Sequence, residues 1–135
     1  MYKPALTAAS IFAVLAVILG AFGAHALKQI FTPDQLLSFE TGVRYQFYHA
    51  FALLFTGVIY SVFQSKLLKW AVTCFILGII GFSGSIYLLT YLKATSNIGL
   101  GGLGIITPIG GLFFIAGWIL LFFGIQQGQA ARKHS

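Results

Sequence analysis

The chain has 135 residues, of which 59% are hydrophobic and only 7% charged, too few solubilising groups to cover the surface of a soluble domain. That balance excludes a water-soluble globular protein and points to the membrane. The net charge of +6 would suggest nucleic acid in a soluble chain. Here the Lys and Arg residues sit almost wholly at the ends of apolar runs, as membrane anchors and topology signals, so lipid rather than nucleic acid is the expected partner.

The first predicted element is a membrane helix over about residues 4–27. Residues 5–27 carry no charge and are long enough for a bilayer that needs about 20 residues. A secretory signal is shorter and ends in a cleavage site, so this run is read as retained. Ala9, Ala13, Ala16, Gly20 and Gly23 recur at alternating steps of four and three, a small-residue stripe suited to close helix packing in lipid. His25 ends the run at the boundary, as a snorkelling or hydrogen-bonded residue or as a ligand.

A second helix start follows at Thr32, Pro33, Asp34 and Gln35: a Thr cap, Pro at the first position, an acid in the first turn and Gln three residues after the cap. Continued to about residue 64, this helix is roughly 45 Å long at 1.5 Å per residue. A short interfacial segment bearing Leu36, Leu37 and Phe39 is therefore expected to lead into a second span over about residues 41–63. At 100° per residue, Phe39, Val43, Phe47, Ala50 and Leu54 share one side, predicted to face lipid. Glu40, Arg44, Tyr45, Tyr48 and His49 gather on the other half, predicted to face protein or water.

A basic turn with Lys66 and Lys69 leads to a third span over about residues 70–92, with Cys74, Gly78, Gly81 and Ser85 at steps of four, three and four. This stripe is expected to pack on that of the first helix. Ser83, Tyr87 and Tyr91 add hydroxyls toward its far end. The following loop holds Gly99, Gly101 and Gly104, formally a G-x-G-x-x-G, but without the strand and βαβ unit that a dinucleotide site needs. The fourth span, about residues 108–125, starts after Thr107 and Pro108 and carries Gly110, Gly117 and Gly124 seven apart; the tail beyond it is expected to fray. The predicted fold is all-α, a single integral membrane bundle of four transmembrane helices. Cys74 stands alone, which excludes an intrachain disulfide and a Cys-rich metal site.

Four spans place both termini and the 61–69 turn on one side with Lys3, Lys66, Lys69, Arg132 and Lys133. Lys28, Arg44, Lys93 and both acids, Asp34 and Glu40, fall on the other. The positive-inside rule then puts both termini in the cytoplasm of a multi-pass plasma-membrane protein.

The blocks GAFGAHALK at 20–28, FETGVRYQFYHA at 39–50, FSGSIYLL at 82–89 and ITPIGG at 106–111 together closely resemble the family known as domain of unknown function 423, the YgdD/YwdK-type small inner-membrane proteins. The resemblance covers nearly the whole chain. It implies a four-helix protein of the bacterial inner membrane and no assigned activity.

Three readings of function stay open. The first is a non-enzymatic membrane protein whose polar cluster, His25, Glu40, Arg44, Tyr45, Tyr48, His49, Ser83, Ser85, Tyr87 and Thr107, organises the bundle or binds a small ligand, lipid or protein partner. Within it, Glu40 and Arg44 at i,i+4 are expected to pair. The second is transport of a solute or ion by an oligomer or larger complex, since intramembrane ionisable residues line such paths. The third is a metal, haem or quinone site on His25 and His49 with Glu40 as ligand or orienting partner. No soluble acid/base dyad, nucleophile elbow, zincin or Walker motif is present, so an enzyme is not expected, and no cofactor is indicated.

Overall fold

The computed structural model describes residues 1–95 and 102–133. Helix α1 spans Lys3–Ala24, α2 Pro33–Ile59, α3 Lys66–Gly78, α4 Ser85–Ala94 and α5 Ile106–Lys133. A π-helical stretch, Ile79–Gly84, joins α3 to α4 without a break, so the two form one rod. No strand occurs among the described residues. Ser96 and the first two glycines of the Gly-rich loop, Gly99 and Gly101, lie outside them.

Local chemistry sets the helix starts. Thr32 Oγ1 accepts from the Gln35 amide at 3.3 Å while Gln35 Oε1 accepts from the Thr32 amide at 2.9 Å, the reciprocal capping box expected there. Ser65 caps α3 by accepting from the Leu67 amide at 3.1 Å. From Pro33 the second helix runs on unbroken, so the expected interfacial segment is simply its first turns. Phe39 is buried against Gly23, Phe31 and Tyr87. The second helix stops at Ile59, short of residue 64, and α5 continues to Lys133 instead of fraying after 125. Ser65 Oγ donates to Gln127 Oε1 at 2.5 Å, and Gly128 sits against Phe63, which ties down the last turns.

The rods run up and down. The Tyr2 amide donates to the Gly57 carbonyl at 2.8 Å, Lys69 lies over the rings of Tyr2 and Tyr60, and Ser65 meets Gln127. The start of α1, the end of α2, the start of α3 and the end of α5 therefore share one end of the bundle.

Small residues decide the pairing, though not as expected. The stripe of α1 packs on α2, not on α3: Gly20 faces Val43, Gly23 faces Phe39, and Gly57 of α2 receives Ala5 and Leu6. The α3 stripe packs instead on α5, where Gly78 meets Phe114, Gly81 meets the backbone of Gly110, and Gly117 and Gly124 admit Phe75 and Leu68. Each glycine lets a bulky partner seat close to the opposing backbone, the contact that substitutes for a hydrophobic drive in lipid.

Among the described residues, three helical rods are long and apolar enough to cross a membrane: Lys3–Gln29, Lys66–Ala94 and Leu103–Arg132. α2 is not among them, in contrast to the four spans expected. Asp34, Glu40 and Arg44 join Gln35, Gln46, His49 and several hydroxyl residues in one helix and dilute its apolar content.

Candidate functional site

The buried face of α2 is a seam of Gly42, Gln46, His49, Leu53 and Thr56, spaced four, three, four and three residues apart. In a helix that spacing keeps one stripe pointed at the neighbours. Its polar members each find a partner. Gln46, only 3% exposed, donates through Nε2 to the Phe12 carbonyl of α1 at 2.8 Å and accepts through Oε1 from the Tyr87 hydroxyl of α4 at 2.8 Å. One side chain thus ties three helices together.

Gly42 makes that reach feasible. A Cβ there would stand 2.8 Å from Tyr87 Cε1, so the absence of a side chain lets the phenol lie across the α2 backbone toward Gln46. The Gly42 carbonyl also accepts from Ser83 Oγ at 2.8 Å. Ser83 is fully buried in the π-helical stretch, a widened turn of the kind that often marks a functional or strained position. One residue pair further along, Ser85 Oγ and Thr107 Oγ1 lie 2.6 Å apart and join α4 to α5.

One to two turns further along α2, His49 is 5% exposed and stacked on Phe114 with ring centroids 3.4 Å apart and planes at 7°. Its Nδ1 is 2.7 Å from the Tyr45 carbonyl, and Trp118 Nε1 donates to its Nε2 at 3.2 Å. Both ring nitrogens are engaged. No buried side-chain nitrogen or oxygen among the described residues lacks a partner.

Of the residues singled out in the sequence, His49, Ser83, Ser85, Tyr87 and Thr107 enter this network. Tyr45, 40% exposed, flanks it with its ring against Phe82. The others do not. Glu40 and Arg44 are exposed and form no ion pair among the described residues; Arg44 donates instead to Thr41 Oγ1 at 3.3 Å. Tyr48 is 58% exposed. His25 follows the end of α1, exposed beside Ala21, Phe22 and Ala26. The division of α2 into a lipid side and a side facing protein or water does not hold as drawn: Phe39 and Ala50 of the first are buried, and of the second His49 is buried while Glu40, Arg44, Tyr45 and Tyr48 are exposed. No cluster of three or more His, Cys, Asp or Glu forms among the described residues, and His25 and Glu40 are not assembled around His49. Gln46, Gly42 and Trp118 were missed by grouping residues on polarity alone. The four-three spacing of Gly42, Gln46 and His49 is the available signal for the first two; Trp118, on α5, has none in the sequence.

Apolar rods of membrane length, packed through glycine and cross-linked by neutral hydrogen bonds, define a small all-helical integral membrane protein. Comparison with known proteins gives the same class and a family. The chain belongs to the family described as "Protein of unknown function (DUF423)", which matches residues 19–111. It is 44% identical over 108 residues to a UPF0382 membrane protein of Staphylococcus haemolyticus, covering 80% of this chain and 83% of that one. A UPF0382 membrane protein of Staphylococcus aureus is 46% identical over 111 residues, covering 81% and 84%. The UPF0382 inner membrane protein YgdD of Escherichia coli K12 is 36% identical over 116 residues, covering 86% and 84%. No solved structure matches the chain.

Proposed function

We propose that the chain is a non-enzymatic inner-membrane protein in which α2 crosses the bilayer as a fourth span, with both termini cytoplasmic, and in which the polar seam of α2 fastens the bundle. The observation that carries this is the satisfaction of the seam inside the bundle: Gln46 by Phe12 of α1 and Tyr87 of α4, His49 by Tyr45 of its own helix and Trp118 of α5, and the Gly42 carbonyl by Ser83 of the π-helical stretch. A helix with polar side chains satisfied inside a bundle can lie in lipid although its composition alone would not favour insertion. With no buried side-chain nitrogen or oxygen left unpaired among the described residues, a ligand, an ion path or a metal at His49 would have to break hydrogen bonds already made. Basic residues at the end that holds Lys3, Lys66 and Lys69 support the orientation.

Cysteine labelling in intact cells tests it. In a Cys74→Ala background, a Cys replacing Gln29 should react with an impermeant maleimide from outside, and one replacing Gln64 only after lysis. Both residues are exposed, at opposite ends of the bundle. Labelling of both positions from one side would remove α2 from the membrane.

A further inference from the structure

At the end of the bundle opposite Lys66 and Lys69, the first turns of α2 and the last turns of α4 part to leave a cleft of about 380 Å³, within the range of small-ligand sites. Thr90 lines it and is only 4% exposed. Other helical threonines give their hydroxyl to a carbonyl one turn back, as Thr41, Thr56 and Thr73 do. The Thr90 hydroxyl has no partner among the described residues. Since no sealed side-chain oxygen among them is unpaired, this one is not sealed, and it opens to the cleft that its residue lines.

Charge of both signs stands around that hydroxyl. Asp34, in the first turn of α2, and Lys93, in the last turn of α4, line the same cleft, and no ion pair joins them among the described residues. Ser38 Oγ donates to the Asp34 carbonyl at 3.0 Å, which leaves its lone pairs to accept. Gln35 Oε1 is held by the Thr32 amide at 2.9 Å, which leaves Nε2 to donate. Half-buried Ile86 and Leu89 supply an apolar wall.

We infer that this cleft holds the headgroup of a zwitterionic aminophospholipid, a primary ammonium joined to a phosphate. The ammonium brings three donors, for which the Asp34 carboxylate and the Thr90 and Ser38 oxygens are acceptors; the phosphate takes Lys93 and Gln35 Nε2. The depth fits a lipid. The Lys66–Ala94 rod is of membrane length and carries no charge between Lys69 and Lys93, so the cleft lies at headgroup level, with the apolar wall toward the acyl chains. An all-basic cleft selects an anionic lipid. Here Asp34 repels an anion and Lys93 a cation, so a ligand carrying both charges is favoured. A quaternary ammonium has no N–H to offer Asp34 or Thr90, which favours the primary amine. The inference needs that rod to cross the bilayer and is independent of which way the chain is oriented.

Native mass spectrometry of the purified chain in detergent tests it, with phosphatidylethanolamine, phosphatidylcholine and phosphatidylglycerol of identical acyl chains added in turn. The ethanolamine lipid should be retained roughly tenfold better than either other, the worth of one hydrogen bond to a charged group. Asp34→Asn should lower its retention and raise that of phosphatidylglycerol, a change of selectivity that misfolding would not give. Lys93→Gln should weaken both of these lipids. The near-isosteric Thr90→Val should weaken the ethanolamine lipid alone and leave the Tm of the lipid-free chain unchanged. Equal retention of the three lipids, or variants that hold phosphatidylethanolamine as well as the unaltered chain, would overturn the site. Binding of free phosphoethanolamine without retention of the lipid would overturn the lipid as occupant and assign the cleft to a soluble zwitterion.

Discussion

Trp118 Nε1 lies 3.2 Å from His49 Nε2, and this contact assigns the imidazole. An indole nitrogen only donates, so Nε2 must be bare and Nδ1 must carry the proton it donates to the Tyr45 carbonyl at 2.7 Å. His49 is thus a neutral crossbar between α2 and α5. Trp118→Phe keeps an aromatic ring but removes the donor. In a double-mutant cycle with His49→Leu, we expect a coupling of about 0.6 kcal/mol and no more than about 1.7 kcal/mol, the average and the maximum for hydrogen bonds between membrane helices. Detergent unfolding measures it, and ¹⁵N spectra of His49 should show Nδ1 protonated. Additive effects together with a proton on Nε2 would cancel the assignment.

Gln46 should matter more than either of its partners. Tyr87→Phe deletes one hydroxyl and leaves Gln46 Oε1 unpaired, whereas Gln46→Leu takes the 2.8 Å acceptor from the half-buried Tyr87 hydroxyl and also releases α1. The Phe12 carbonyl keeps its own helical bond, so its loss is small, while two side-chain hydrogen bonds are lost at once, each worth about 0.5–1.5 kcal/mol. Unfolding by SDS titration should rank Gln46→Leu as the more damaging change. The reverse order would mean that the phenol ring, not the hydrogen bond, does the fastening.

These residues explain what was legible in the sequence and what was not. The helices, the Thr32 cap and the glycine seams could be read because each depends on local chemistry or on spacing along one helix. Pairing could not: the stripes of α1 and α3 look alike, and only three-dimensional fit sends one to α2 and the other to α5. On α2, neutral and charged polar residues take opposite faces, a division that polarity alone does not predict. Neutral groups such as Gln46 and His49 can be satisfied by a backbone carbonyl or a Trp and go inside, while Glu40 and Arg44 need an opposite charge that the interior does not offer.

The glycines of the two seams differ in tolerance. At Gly20 a Cβ would meet only Val43 Cγ1, at 3.5 Å, and the position is half-buried; at Gly81 it would meet the Gly110 Cα at 3.2 Å. Gly81→Leu should therefore lower thermal stability in detergent far more than Gly20→Leu. Leu15→Ala, at a site 44% exposed, should change little. Equal losses at Gly20 and Gly81 would show that the Gly81–Gly110 approach is not limiting.

The sharpest contrast lies between Gly110 and Gly84, on facing helices. A Cβ on Gly110 would fall inside van der Waals contact of the Phe82 amide nitrogen and of Gly81 C, atoms of the π-helical backbone. Backbone cannot rotate away as a side chain can, so Gly110→Ala forces α5 off the α3–α4 rod. We expect a loss of about 1–3 kcal/mol, in the range of core overpacking. Gly84 has ordinary right-handed helical angles, and nothing lies within 4 Å of its added Cβ. Gly84→Ala therefore keeps every contact and removes backbone freedom from the unfolded chain, a gain of roughly 0.5–1 kcal/mol. The two substitutions are chemically identical, which makes their opposite signs a test of the contact and not of glycine as such. Thermal unfolding of both variants in one detergent would decide it: a stabilised or neutral Gly110→Ala would mean that α5 and the π-helical turn do not touch backbone to backbone.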